Sequence, residues 1–150
     1  MLDRGAALYE VLRHVRPLVL NSARVVEAAL RPYGLSVGTR AVLEVLAEHG
    51  PAPVPTIADR LELARQGVQR HVNDLLALGL VESRANPAHR RSVLIALTQA
   101  GAGTIDRIRA EELRQLASLA PDRTPEEIAT AAEVLRSLSR DIRRRAGGAA

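Results

Sequence analysis

The chain has 150 residues, a formal net charge of +4 and no cysteine. This length suits one domain or two interlocked ones, and the lack of cysteine excludes a disulfide scaffold, a zinc finger and a thiol redox sensor. Apolar residues make up 47% of the chain, but the aromatic ones are only Tyr9 and Tyr33, so the core has to be aliphatic, which favours packed helices. Because no apolar run could span a membrane and no signal peptide is recognisable, we expect a soluble cytoplasmic protein without a membrane partner.

The first predicted helix covers residues 6–31. Its apolar and small residues recur at alternating spacings of three and four, which is typical of a seam that packs against other helices. The members of this seam are Leu8, Val11, Val15, Leu18, Ser22, Val25 and Ala29. At 1.5 Å per residue the helix would be roughly 40 Å long, more than a small domain covers, so we expect a partner chain. Pro17 predicts a kink, and Gly34 predicts the end of this segment.

Three further helices are predicted before a hairpin. Ser36 is a good cap for the second helix. The residues of that helix that should face inward are Val42, Leu43, Val45 and Leu46. A short helix over residues 56–61 follows a proline-rich extended segment. The next helix covers residues 64–78 and ends at Gly79, and we call it the reading helix. Its apolar face consists of Val68, Val72 and Leu75.

The second half of the chain predicts a hairpin and two more helices. The β-prone residues 80–84 and 92–97 flank a turn-rich loop, residues 85–91, which gives the hairpin a long basic tip. Thr98 is the cap of a helix that runs to about residue 119. For the last helix, Thr124 supplies a cap, Pro125 a first-turn proline and Glu127 a capping-box carboxylate. Its apolar residues at helical spacing are Ile128, Ala132, Leu135, Leu138 and Ile142.

The order helix, helix, short helix, helix, hairpin is that of a winged helix-turn-helix, so the predicted fold class is mainly α with a small β-hairpin, the wing. In such a motif the reading helix lies in the DNA major groove. Its outward side chains suit base edges and phosphates, because Arg pairs with guanine and Gln or Asn with adenine. These side chains are Arg65, Gln66, Gln69, Arg70 and Asn73. Thr56, at the start of the short helix, could hold a phosphate on its exposed backbone donors.

An ordinary solvated helix face is the simpler interpretation of this polar row. The preceding short helix, the following hairpin and the local charge favour nucleic acid instead. Residues 60–91 contain six arginines against Glu62, Asp74 and Glu82, an excess of three positive charges. Such an excess suits a polyanionic partner.

Residues 34–101 resemble the core of the MarR family, the multiple-antibiotic-resistance-type regulators. The segments that carry the resemblance most specifically are RQGVQR, LLALGLVE and NPAHRRSVLIALTQAG. The resemblance implies a bacterial, cytoplasmic homodimer that binds double-stranded DNA at a pseudo-palindromic operator. It usually implies a repressor, and often one that releases DNA when a small aromatic or anionic effector binds. It also implies an N-terminal dimerisation helix (1–35), a winged helix-turn-helix DNA-binding domain (36–98) and C-terminal dimerisation helices (99–150), interlocked as one domain.

Three places depart from the family pattern, and one is the start of the second helix, which has Thr39 and Arg40 where Gln and an apolar residue are common. The residue before the reading helix is usually a Ser that caps it, and Ala64 cannot, which should cost about 1 kcal/mol. The wing usually carries an Asp two residues before its key Arg, whereas this chain has His89 there, followed by Arg90 and Arg91. In the family context these arginines are expected to reach a narrow minor groove, where the negative potential is greatest, and His89 could itself meet a phosphate.

The remaining polar residues bear on an effector pocket and on metal or catalytic sites. In similar proteins the effector pocket lies between the first helix, the second helix and the helix after the wing, where His14, Arg16 and Arg40 are the polar candidates. The four histidines lack metal-ligand spacing and no nucleophile motif is present, so we expect no metal, no cofactor and no enzymatic activity.

Two alternatives stay open beside a DNA-binding regulator. One is a winged-helix module that binds another protein, which an acidic or apolar outer face on the reading helix would favour. The other is a small-molecule-binding helical dimer without DNA binding, which a buried cluster of titrating groups would favour. The sequence shows a basic, amide-rich face and no such cluster.

Overall fold

The structure is a computed structural model that describes residues 3–148, so residues 1–2 and 149–150 of the predicted dimerisation segments lie outside the described part. The elements in chain order are α1 (Arg4–Leu30), a 3₁₀ turn (Arg31–Tyr33), α2 (Val37–His49), α3 (Val54–Leu61), α4 (Arg65–Ala77), β1 (Val81–Ala85), β2 (Val93–Leu97), α5 (Gln99–Leu116) and α6 (Pro125–Gly148). The two strands form one antiparallel pair. The predicted class, a mainly helical winged helix-turn-helix, is confirmed. The reading helix is α4.

The chain divides into two compact units, residues 3–110 and 111–148. The core of the first unit is aliphatic, as the composition predicts. Its largest fully buried side chains are Leu30, Leu43, Ile57, Leu75, Ile95, Ile105, Val42, Val68 and Val72. All four residues predicted to face inward from α2 belong to this core. Burying one such side chain contributes about 1.5–3 kcal/mol, so packing rather than helix propensity holds α2, α3 and α4 in place.

Two side-chain caps determine where α2 and α5 begin, and both were predicted. Ser36 Oγ accepts the backbone N–H of Thr39 at 3.2 Å, while the Thr39 hydroxyl accepts the N–H of Ser36 at 2.8 Å. Thr98 Oγ1 accepts the N–H of Gly101 at 3.1 Å and donates to the carbonyl oxygen of Gly79 at 2.7 Å. Thr98 therefore also ties the start of α5 to the turn that ends the reading helix.

α1 is 27 residues long and continues through Pro17. It begins where Asp3 Oδ2 accepts the N–H of Ala6 at 3.3 Å. Its contributions to the core come from its last turns, through Leu30 and the partly buried Val26. Most of the predicted seam is exposed in the single chain, and Leu8 and Val15 are its half-buried members.

The wing is joined to the segment that precedes α3. Its register pairs Val81 with Leu97 at the base and Ala85 with Val93 at the tip. The Ala52 N–H donates to the carbonyl oxygen of Ile95 at 3.1 Å, and the Ile95 N–H donates to that of Ala52 at 2.8 Å. This bridge positions the start of α3 relative to β2.

In the second unit, α6 begins with the predicted capping box. Thr124 Oγ1 accepts the N–H of Glu127 at 3.1 Å, and the Glu127 carboxylate accepts the N–H of Thr124 at 2.9 Å. Among the described residues of α6, none is fully buried, and its apolar side chains Ile128, Leu135 and Ile142 are exposed. No helix within residues 3–148 is both long enough and apolar enough to cross a membrane.

Gly101 marks a close approach between α5 and the chain that leads into β1. A Cβ added at Gly101 would lie 1.9 Å from the carbonyl oxygen of Leu80, a backbone atom that also accepts the Thr98 N–H at 3.1 Å. We predict that Gly101→Ala lowers the free energy of unfolding by about 1–3 kcal/mol, as overpacking typically does. Urea unfolding followed by circular dichroism measures this change.

Gly103→Ala is the matched control in the same helix. An added Cβ at Gly103 meets nothing within 4 Å, so replacing glycine there should stabilise the helix by about 0.5–1 kcal/mol. Wild-type stability in the Gly101→Ala protein would contradict the predicted clash.

Candidate nucleic-acid interface

The reading helix α4 has two contrasting faces. Val68, Val72 and Leu75 have no exposed surface, and the helix packs against α2 and α3. The opposite face is polar and exposed. Its members are Arg65, Gln66, Gln69, Arg70 and Asn73, the five outward side chains that the sequence predicted. Because the three apolar side chains are locked into the core, α4 cannot rotate and its polar row stays directed outward.

The five outward side chains line one open groove with a volume of about 780 Å³. Val54 and Pro55, in the first turn of α3, complete its lining. The groove therefore combines two guanidinium groups and three amides with a small apolar edge. Small-molecule pockets are concave and predominantly apolar, whereas this combination suits phosphates and base edges.

Two of the amides in the groove are bonded to each other. Gln69 Nε2 donates to Asn73 Oδ1 at 2.9 Å, one helical turn away. Within residues 3–148, the bonded pair still has a free acceptor on Gln69 and free donors on Asn73. Adenine presents one acceptor and one donor in the major groove, so the pair is complementary to an adenine edge.

The wing tip, residues 86–92, is organised by Asn86. Its Oδ1 accepts the N–H of Ala88 at 3.0 Å, and its carbonyl oxygen accepts the N–H of His89 at 3.2 Å. His89, Arg90 and Arg91 are all exposed on this turn. Within residues 3–148, no carboxylate forms a salt bridge with Arg90 or Arg91. The tip therefore presents two uncompensated cations on an ordered backbone.

Comparisons with known proteins agree with this arrangement. A family model described as the MarR family matches residues 33–92. The crystal structure of a MarR family transcription regulator is 33% identical to the chain, with a TM-score of 0.85, and the match covers 94% of this chain and 93% of that one. The chain belongs to the MarR family. It has the winged-helix DNA-binding fold of a MarR-family transcription regulator.

The chain is also similar to a mycobacterial protein and to a further solved structure. An uncharacterised protein of Mycobacterium tuberculosis is 39% identical over 101 residues, which are 67% of this chain and 68% of that protein. A mutant MarR from E. coli, crystallised in complex with operator DNA, is 21% identical, with a TM-score of 0.72 over 91% of this chain and 99% of that one. At this lower identity the likeness concerns the fold alone.

The MarR-family reading helix begins here without a side-chain cap. Ala64 takes the extended backbone of an N-cap, with φ −67° and ψ 139°, and in the described part of the chain no side-chain cap bonds to the first turn. The turn before it contains Glu62 in the left-handed region, with φ 55°, where its N–H donates to the carbonyl oxygens of Ala58 and Asp59. A left-handed non-glycine residue costs roughly 1–2 kcal/mol, so the packing of α3 and α4 must hold this turn.

Thr56 was predicted to be the first residue of α3, and it is the third. The helix begins at Val54, two residues earlier, because Pro55 fits its first turn. The Thr56 N–H donates to the carbonyl oxygen of Pro53 at 3.0 Å. The predicted exposed backbone donor at Thr56 is therefore wrong, and a phosphate contact there would have to use the half-buried side chain.

The three predicted effector residues lie on two different helices, His14 and Arg16 on α1 and Arg40 on α2. His14 is exposed and contacts Glu10, one turn earlier in α1, with 3.1 Å between His14 Nε2 and Glu10 Oε1. Arg16 is also exposed on α1. Arg40 lies on α2, where its guanidinium pairs with Glu44 Oε2 at 2.5 Å.

Sequence reasoning missed two sets of residues around these sites. Val54 and Pro55 belong to the segment predicted to be extended, although a proline in the first helical turn is a recognised start signal. Arg109 of α5 also went unnoticed; its Nη2 lies 3.9 Å from Glu44 and 3.7 Å from Glu48. Among the residues that the structure describes, no group of three or more His, Cys, Asp or Glu side chains could hold a metal ion.

Proposed function

We propose that the protein is a sequence-specific DNA-binding transcriptional regulator that acts as a homodimer on a pseudo-palindromic operator. It represses its target genes in the bacterial cytoplasm until a small aromatic or anionic effector releases it. Residues 36–98 bind DNA, and residues 1–35 and 99–150 form the dimer. The proposal assigns no enzymatic activity and no cofactor to the chain.

The observation that carries this proposal is the groove on α4. Its arginines and amides face outward on a helix whose other face is locked into the core. A rigid helix with such a surface matches the width and the hydrogen-bonding groups of the major groove. Among residues 3–148, neither Arg65 nor Arg70 forms a salt bridge with a carboxylate, so both are available to phosphates and guanines.

The wing supplies a second contact in this proposal. His89, Arg90 and Arg91 would follow the DNA backbone and enter the adjacent minor groove, where the negative potential attracts arginine. Thr56 would contribute a phosphate contact through its hydroxyl group. These contacts position the reading helix but carry little sequence information themselves.

Exposed apolar stripes support the homodimer. The stripe on α1 consists of Val11, Leu18 and Val25, and that on α6 consists of Ile128, Leu135 and Ile142. The side chains are 37%, 66% and 62% exposed on α1 and 52%, 44% and 50% exposed on α6. A spacing of seven keeps side chains on one stripe of a helix, and monomeric proteins rarely leave large apolar surfaces in water. Two paired chains would place their reading helices about 10 base pairs apart.

The effector part of the proposal is supported by Arg40. Its side chain is only 19% exposed and is paired with Glu44, which Arg109 of α5 also approaches. An anionic effector that competed with Glu44 for these cations would disturb the contact between α2 and α5. His14 and Arg16 are the candidates on α1.

Arg70 should contribute to base reading. Arg70→Ala is expected to weaken binding to the operator by at least about thirtyfold, because a dimer loses two bidentate base contacts of about 1–3 kcal/mol each. Binding to a scrambled duplex should fall much less, because there each subunit loses only one phosphate-attracting charge. Gel shifts with the DNA upstream of the protein's own gene measure both. Arg60→Ala, an exposed arginine of α3 outside the groove, is the matched control, and an equal loss on both duplexes would refute base reading.

Arg91 should contribute through phosphate charge. Each lost phosphate contact lowers the slope of log affinity against log salt by about 0.9, so Arg91→Ala should flatten it by about 2 in a dimer with two wings. Arg123→Ala removes the same charge from a residue paired with Asp122 and Glu127 and should leave the slope unchanged. A wild-type slope for Arg91→Ala would mean that the wing does not touch the DNA backbone.

Leu135 should lie in the dimer interface. Leu135→Glu places a charge in the apolar stripe of α6, and burying an unpaired charge costs several kcal/mol, so the variant should be monomeric. Sedimentation velocity measures the molar mass. Ser137→Glu, an exposed position about 200° around the same helix, should remain dimeric, and a dimeric Leu135→Glu protein would contradict this interface.

A further inference from the structure

Gly38, in the first turn of α2, lies directly against His71 of the reading helix. A Cβ added at Gly38 would lie 2.2 Å from Nε2, 2.4 Å from Cε1 and 2.9 Å from Cδ2 of the His71 ring. The edge of the imidazole therefore occupies the space that any other side chain at position 38 would need. Glycine inside a helix costs roughly 0.5–1 kcal/mol relative to alanine. The close approach of the ring explains why a glycine occupies position 38 despite this cost.

His71 lies at the boundary between the two faces of α4. It directly follows Gln69 and Arg70 of the groove and directly precedes the fully buried Val72. The side chain of His71 is half-buried and does not line the groove. Any displacement of the backbone at position 71 is transmitted to Gln69 and Arg70, because a helix is rigid over one turn.

Gly34, in the connection between α1 and α2, also lies close to α4. A Cβ added at Gly34 would lie 3.7 Å from Cδ2 of Leu78, the residue that ends the reading helix. Gly38 and Gly34 therefore lie beside α4 near positions 71 and 78. The helix is positioned by this segment as well as by its apolar core contacts.

We propose that His71, seated on Gly38, is a positioning residue that sets the location of the reading helix relative to α2. This proposal rests on the proposed DNA-binding function. The ring does not touch DNA; it acts through the backbone of α4, and so determines whether Gln69 and Arg70 reach the base edges in register.

The distances between a Cβ at Gly38 and the His71 ring indicate how strongly a methyl group at position 38 should affect DNA binding. Non-bonded carbon atoms meet at about 3.5 Å, so a methyl group on Gly38 requires the ring to move by about 1 Å. Functional side chains must be held within about 0.5 Å of their productive geometry. Contacts to bases depend on that geometry, whereas attraction to phosphates depends mainly on charge, so the two kinds of binding should respond differently.

The test is a double-mutant cycle on DNA binding. Wild type, Gly38→Ala, His71→Ala and the double variant are titrated at one salt concentration with a duplex that wild type selects from a random pool, and with its scrambled version. We expect Gly38→Ala to lose about tenfold in affinity for the selected duplex, or about 1.4 kcal/mol, and less than about twofold for the scrambled one. His71→Ala alone leaves the space of the ring empty and should lose several-fold in affinity for the selected duplex. The double variant should recover most of the loss, because the methyl group at position 38 then occupies part of that space and again seats α4 against α2. Gly103→Ala should bind like wild type.

Two outcomes would overturn the proposal. If Gly38→Ala binds the selected duplex as tightly as wild type, the ring moves aside without displacing the helix. If the double variant binds no better than Gly38→Ala, the two residues are not coupled through this contact.

Urea unfolding of the same four proteins separates this proposal from the DNA-binding function. If wild type selects no duplex, the DNA-binding proposal fails. Recovery of stability in the double variant would then still support the close contact between His71 and Gly38, and additive losses of stability would refute that contact.

Discussion

The burial of Val68, Val72 and Leu75 is the constraint on which the whole interface depends. α4 has 13 residues and no side-chain cap at its start, and isolated helices of this length are marginal in water. Each buried aliphatic side chain contributes about 1.5–3 kcal/mol, which together exceeds the roughly 1 kcal/mol that the missing cap costs. The reading helix is therefore helical because it is packed, and Ala64 is tolerated for that reason. The same packing prevents rotation, so it also decides which side chains face solvent.

A fixed helix lets part of the outward row be ordered before any ligand arrives. The bond between Gln69 and Asn73 holds two amides together, so less side-chain freedom has to be lost when they meet a base. Arg65 and Arg70 have no such partner within the described residues and keep their freedom. In the proposed complex with DNA, the row would thus combine a preorganised pair of amides that reads a base with flexible cations that adapt to phosphates or guanines.

The sequence predicted most element boundaries to within two residues, because local signals carried them. Ser36, Thr98 and Thr124 cap helices as expected, and the alternation of burial on α2 and α4 follows from apolar spacing. The predicted start of α3 was two residues too late. Prolines favour both an extended segment and a first helical turn, and only the packing decides between the two.

The rest of the site could not be derived from local pattern. Val54 and Pro55 line the groove only because the turn at Glu62 brings the start of α3 beside α4. The contact between Gly38 and His71 joins residues 33 positions apart, and neither residue type signals it alone. The apolar stripes of α1 and α6 were visible as helical periodicity, but their exposure became known only from the fold. Long-range approach is the information that single-sequence periodicity lacks.

The departure at His89 changes the balance between the wing and the reading helix. A carboxylate near a wing arginine would orient it and would also neutralise part of its charge. In this chain the tip has no such carboxylate among residues 3–148, and Asn86 orders the backbone instead. In the proposed complex, the full positive charge of Arg90 and Arg91 would be directed at the DNA backbone, which would raise affinity and its salt dependence without adding base discrimination. Specificity would then have to come from α4, and for that reason the seating of this uncapped helix would matter more here than in a protein whose wing arginine is braced.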